Sequence, residues 1–181
     1  MSPLTWIDNT VSALSFWRLE GVPSIPPTRR DFQQLEDLIG GKLPEEYRRF
    51  VTCCGAAILG DLRHRVVAPL IDHCPWGPHI PMEFVYPAAI QHPDSAAIQI
   101  TYYKGKLPKG LLPVAEYANR KFVCLDVGGK LPGSVWMWRY TRKPSMSVCS
   151  RSDDRPPEYS GLYRMAMTFS DLLRAARRIP Y

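Results

Sequence analysis

No stretch of this sequence approaches the roughly 20 consecutive apolar residues that a membrane-crossing helix needs. Its opening, Met1-Ser-Pro-Leu-Thr-Trp-Ile-Asp, also lacks the basic-then-apolar order of a secretion signal. A cytoplasmic location with no membrane partner is therefore expected. Phosphate-cradling glycine loops, the dinucleotide fingerprint, the HExxH metal motif and the GxSxG nucleophile elbow are all missing. The common footholds for phosphoryl transfer, hydride transfer, metal-assisted hydrolysis and acyl transfer go with them. No paired carboxylates stand at strand ends for general acid–base work. The five cysteines, Cys53, Cys54, Cys74, Cys124 and Cys149, are odd in number and without disulfide-framework spacing, so they read as reduced and structural. His73, Cys74, His79 and His92 contain no ligand pair at zinc-site spacing and read as a proline-rich surface loop and its neighbour. The expectation is no catalytic residue, no metal and no cofactor.

Long basic runs and glycine-aromatic stacking motifs are missing too, although 23 Lys and Arg against 17 Asp and Glu give a formal charge of +6. The arginines come in scattered pairs, Arg29-Arg30, Arg48-Arg49 and Arg177-Arg178, that suit solvated helix faces. No specific nucleic-acid partner is expected. The positive surplus points instead to complementarity with an acidic patch on a protein.

What is present is the material of one soluble domain: 181 residues, 45% hydrophobic and 22% charged, with no internal repeat. The 18 prolines are about twice the usual share. They exclude long helices and cut the chain into short strands and irregular connections.

Helical spacing of Ile7, Val11, Leu14 and Trp17 or Arg18 predicts an N-terminal helix over 5–20, followed by a Pro-rich linker over 22–27. Phe32, Leu35, Leu38 and Ile39 mark a second amphipathic helix that Gly40-Gly41 closes. Pro44 and two glutamates open a third, with Tyr47, Phe50, Val51 and Cys54 on one face. From Arg63 onward short β-rich runs take over, at 65–70, 83–86, 97–103, 112–115, 122–126 and 135–139. The segments 73–81 and 143–160 read as irregular. Thr168 with Asp171 forms a capping box before a last helix whose C-terminal end carries Arg174, Arg177 and Arg178. Asp126, ahead of Gly128-Gly129, reads as a side chain capping a tight turn rather than a catalytic carboxylate. Trp136 and Trp138 share a strand face, which reads as core beneath helices rather than an open platform.

Four blocks now stand in order: Phe32-x2-Leu35-Glu36-x-Leu38-Ile39-Gly40-x2-Leu43-Pro44-x2-Tyr47-x2-Phe50-Val51-x3-Gly55; Leu112-Pro113-Val114-Ala115 with Phe122-Val123-Cys124-Leu125-Asp126; Gly133-x-Val135-Trp136-x-Trp138; and Ala166-x-Thr168-Phe169-x-Asp171-Leu172-Leu173. Together they resemble the SUKH superfamily, which holds the fungal Smi and Knr type cell-wall regulators and many bacterial immunity proteins. Cys53-Cys54-Gly55-Ala56, Asn119-Arg120-Lys121 and Arg139 depart from the family pattern at turns and surface. The resemblance implies an α+β fold: a single domain over 1–181 with its family-like core at 28–178, built on a mainly antiparallel sheet of about five or six short strands with helices packed on it. It also implies no enzyme activity. The implied role is an immunity protein that binds and neutralises a cognate secreted toxin C-terminal domain in interbacterial competition; a regulatory or scaffolding interaction module is the alternative. Oligomeric state is left open.

The partner contact is expected on the loop over 73–81, through Trp76, His73 and His79, with help from Arg63, Arg65, Arg139 and Arg142. Pro75, Pro78 and Pro81 stiffen that loop and lower the entropy lost on binding. Trp76 beside arginines has the make-up of an interface hot spot. The other reading, that Trp76 folds back over the sheet, stays open.

Overall fold

The computed structural model describes residues 5–14, 25–61, 63–117, 121–140 and 161–181, and the backbone of 16–18. Among these, five helices and ten short strands alternate irregularly along the chain. Helix α1 (Thr5–Leu14) buries Ile7, Val11 and Leu14, then stops short of the expected 5–20 span. The chain turns into β1 (Phe16–Arg18), which pairs antiparallel with β2 (Ala57–Leu59) at Phe16 to Leu59. Backbone pairing with a distant strand overrides the helical spacing that Trp17 and Arg18 continue.

Helix α2 (Arg29–Ile39) starts in a reciprocal cap: Thr28 Oγ1 accepts from the Asp31 N–H, and Asp31 accepts from the Thr28 N–H at 2.7 Å. Gly40 ends it in the left-handed conformation, φ 81°. One expected core residue is reversed, since Leu38 is exposed and the charged Glu36 is buried. The reason is a polar corner. Glu36 accepts from Lys42 Nζ and from the Leu43 N–H, both at 2.8 Å, and from the Arg48 guanidinium, fixing the turn into α3 (Glu45–Cys54). Tyr47, Phe50, Val51 and Cys54 of α3 all face the core, as their spacing indicates. Phe169, at the start of α5 (Phe169–Ala175), meets Tyr47 and Phe50 edge-on. Helices α1, α3 and α5 thus form one layer.

The main sheet runs in the order β1-β2-β5-β6-β7-β8-β9, every neighbouring pair antiparallel. Its later strands are β5 (Phe84–Val85), β6 (Leu111–Tyr117), β7 (Lys121–Asp126), β8 (Val135–Arg139) and β9 (Leu162–Ala166). Trp136 and Trp138 are both buried, Trp138 against Phe122 and Tyr103. Asp126, also buried, accepts from the Gly129 and Leu131 N–H groups at 2.7 and 2.8 Å and so caps the turn after β7. Tyr103 belongs to a correction. The run 97–103 is not a strand, because Ser95 caps the Ile98 N–H and starts helix α4 (Ala96–Tyr102).

A second sheet holds β3 (His64–Pro69) between β10 (Arg177–Pro180) and β4 (His79–Met82), in the order β10-β3-β4. Two further expectations are corrected here. The segment 73–81 is irregular only to Pro78, because β4 tolerates Pro81 as an edge strand. The last helix ends at Ala175, so Arg177 and Arg178 lie in a strand. The result is a single α+β domain on an antiparallel sheet with helices packed against it. It has more strands than expected: β1, β2, β4, β9 and β10 join those read from the sequence, and all of these but β9 are too short to show a period of two.

Candidate functional site

Alternation along β3 divides the small sheet into two unlike faces. Val66, Ala68 and Met82 are buried toward α5 and the core, with Met82 paired opposite Val66. Arg65 and Val67 point the other way, together with their cross-strand partners Ile179, Arg177 and Pro81 and with His79 opposite Pro69. This second face floors a cleft of about 400 Å³, walled by Trp76, Tyr117 and Lys121.

The loop before β4 delivers Trp76. Gly77 takes a positive φ of 100°, donating its N–H to the Cys74 carbonyl at 3.1 Å. Leu70 N–H donates to the Pro78 carbonyl, closing the loop neck, while Ile71 N–H donates to the Arg164 carbonyl and straps the loop to β9. Trp76 lands half-buried, edge-on to Tyr163 at 5.4 Å between centroids. Of the two orientations open to this side chain, it packs inward. Arg139, at the end of β8, lies over its ring with Cζ 4.7 Å from the centroid, and Lys121 Nζ lies over it at 5.4 Å. Lys121 also covers Tyr117 at 5.2 Å. Four cations therefore gather here, and among the described residues Arg65, Lys121, Arg139 and Arg177 have no carboxylate partner. The Arg65 Nε is buried without an acceptor among those residues.

Strand β10 is held by a clasp at its far end. Asp61 accepts from the N–H groups of Arg63 and His64 at 2.8 and 2.9 Å, lies 2.9 Å from His64 Nδ1, and takes the Arg178 guanidinium. The Arg63 N–H first, then His64, hold the Asp61 carboxyl down at about 2, well below the ordinary carboxylate range.

The expected contact residues thus divide. Arg65, Trp76 and His79 line the cleft, whereas Arg139 does not line it and lies over the Trp76 ring. His73 is exposed in the loop but does not line it, and Arg63 sits at the turn before β3, where its carbonyl accepts from the Tyr181 N–H. Arg142 lies outside the described residues, as do the segment 143–160 and Cys149. Tyr117, Lys121 and Arg177 were not anticipated. The first two follow from the pairing of Tyr117 with Lys121 across β6 and β7; Arg177 had no local signal, being far in sequence from its partner Val67.

Nothing in the cleft resembles an activated nucleophile. Cys53, whose Sγ lies 3.1 Å from Asp8, has its thiol pushed up to about 11 by burial first and by that carboxylate second. Burial raises Cys54 and Cys124 further still. Among the described residues no three His, Cys, Asp or Glu side chains cluster as metal ligands, so His73, Cys74, His79 and His92 are not gathered. No helix among them is long and apolar enough to cross a membrane.

A sequence model of the SMI1 / KNR4 family (SUKH-1) matches residues 26–175. The match spans β3, β4, β6 and β7 of the cleft and stops before Arg177. No curated protein and no solved structure matches the chain.

Proposed function

Since the chain belongs to the SMI1 / KNR4 family (SUKH-1), whose members are in general non-catalytic, we propose that it is an immunity protein. It binds a cognate bacterial toxin domain in the cytoplasm and protects the producing cell by occupancy, without turnover. One observation carries the reading: four cations without a carboxylate partner among the described residues gather around Trp76 on a sheet face that the core does not use. Unneutralised like charges at one place destabilise a fold, so a ligand that neutralises them gains what the free protein lacks. Tight association rests on a few desolvated aromatic and arginine anchors, and opposite charge speeds encounter.

The test is protection. The chain is co-expressed in a sensitive host with the C-terminal domain of whatever secreted toxin is encoded beside its gene. Restored growth and a stable complex on size-exclusion chromatography are expected. Continued growth arrest at equal expression, with no complex, overturns the reading and leaves a regulatory interaction module of the same fold.

A further inference from the structure

The cleft has a definite chemical preference. Arg65 and Arg177 are diagonal neighbours on adjacent strands, and both rise from the face opposite the core. Lys121 and Arg139 approach from the main sheet and meet over Trp76. Among the described residues none of the four is neutralised, and the Arg65 Nε has been taken out of water without receiving an acceptor. Arg65, Arg177 and Lys121 line the cleft and Arg139 lies over Trp76, so an anion there meets positive charge that no described carboxylate answers.

The shape narrows which anion. A volume of about 400 Å³ has room for a few side chains. Sequence-independent binding of single nucleic-acid strands needs open aromatic faces on which bases stack. The Trp76 ring is covered by Arg139 and Lys121 and meets Tyr163 with an edge; Tyr117 is covered by Lys121 as well. The aromatics here position cations and offer no stacking platform. Resting on the immunity reading, which supplies a protein as partner, we infer that the cleft takes a short acidic segment of that partner. Its Asp or Glu carboxylates bridge Arg65 and Arg177 on the floor to Lys121 on the wall, with Arg139 adding its charge from over the Trp76 ring. His79, at the mouth, is placed to donate a further hydrogen bond.

Hexaglutamate peptide is the probe, titrated calorimetrically into the full chain at low salt. Binding is expected, weakening as salt rises. Arg65→Gln combined with Arg177→Gln should weaken it by roughly tenfold or more, as loss of two desolvated partners requires. Arg29→Gln with Arg30→Gln removes the same charge from an exposed helix start and should change it by less than about twofold. Should the first pair fail to fold, Lys121→Gln with Arg177→Gln, which leaves the half-buried Arg65 in place, is used instead. Equal loss in the control pair would show diffuse attraction to net charge and overturn the inference. Tighter binding of an oligothymidylate of matching length at the same salt would overturn it in favour of phosphate. No peptide binding overturns it as well, while growth protection remains the separate measure of toxin neutralisation.

Discussion

Replacing Glu36 by alanine leaves the Leu43 N–H and the Arg48 guanidinium without this acceptor at the α2–α3 corner, in a place only 4% exposed. A loss of about 3 kcal/mol in urea unfolding is expected, the scale of a broken buried charged hydrogen bond. The same carboxyl sets an acid limit. Burial works against its charge, but Lys42, the Leu43 N–H and Arg48 outweigh this and hold it below the ordinary 4.5. A carboxyl lowered on folding stabilises at pH above the ordinary value and loses that contribution as pH falls through the folded one. Wild-type stability should therefore drop below about pH 4.5 more steeply than that of Glu36→Gln. Trp76 behaves differently from an exposed hot spot, because it packs on Tyr163 while carrying Arg139 and Lys121. Trp76→Ala should lower stability by about 1–2 kcal/mol and weaken partner binding too. A lowered melting temperature with unaltered affinity would take Trp76 out of the site.

Strand β10 depends on its clasp. Asp61→Asn keeps the backbone turn but weakens the tie to Arg178, so amide exchange should quicken in β10 and stay unchanged in β7 and β8. Hexaglutamate binding should fall with it, since Arg177 is positioned by that strand; unchanged exchange in β10 would refute the clasp. Elements whose signals are local were legible in the sequence. Gly40 closes α2 as expected, and the apolar runs of β6, β7 and β8 stand where expected. Elements made by distant partners were not. Ala96 to Tyr102 carries Ile98, Ile100 and Tyr102 at the alternation of a strand, and the Ser95 cap decides for helix. Strands β1 and β10 exist because β2 and β3 offer them open edges, which no local pattern announces. The site follows the same division. Arg65, Trp76 and His79 lie within one stretch of chain and were foreseen together, whereas Lys121 and Arg177 join them only through the fold.

For the molecule as a whole, a formal charge of +6 with four cations crowded at one cleft means that repulsion is concentrated rather than spread. Salt should therefore raise the melting temperature between roughly 0.02 and 0.3 M, opposite to a fold relying on surface ion pairs. Arg177→Gln should raise it as well and blunt the salt response, while costing affinity for an acidic partner. A falling melting temperature with added salt would show that the cations are neutralised internally. The two-residue period of β3 adds something about descent. Val66 and Ala68 answer to the core, and Arg65, on the same strand, answers to whatever lies outside. On the proposed reading, substitutions at 65, 79 and 177 would change whom the protein recognises, while the residues at 66, 68 and 82 keep it folded. A lineage facing a changing adversary could exchange its specificity on this sheet without rebuilding the scaffold.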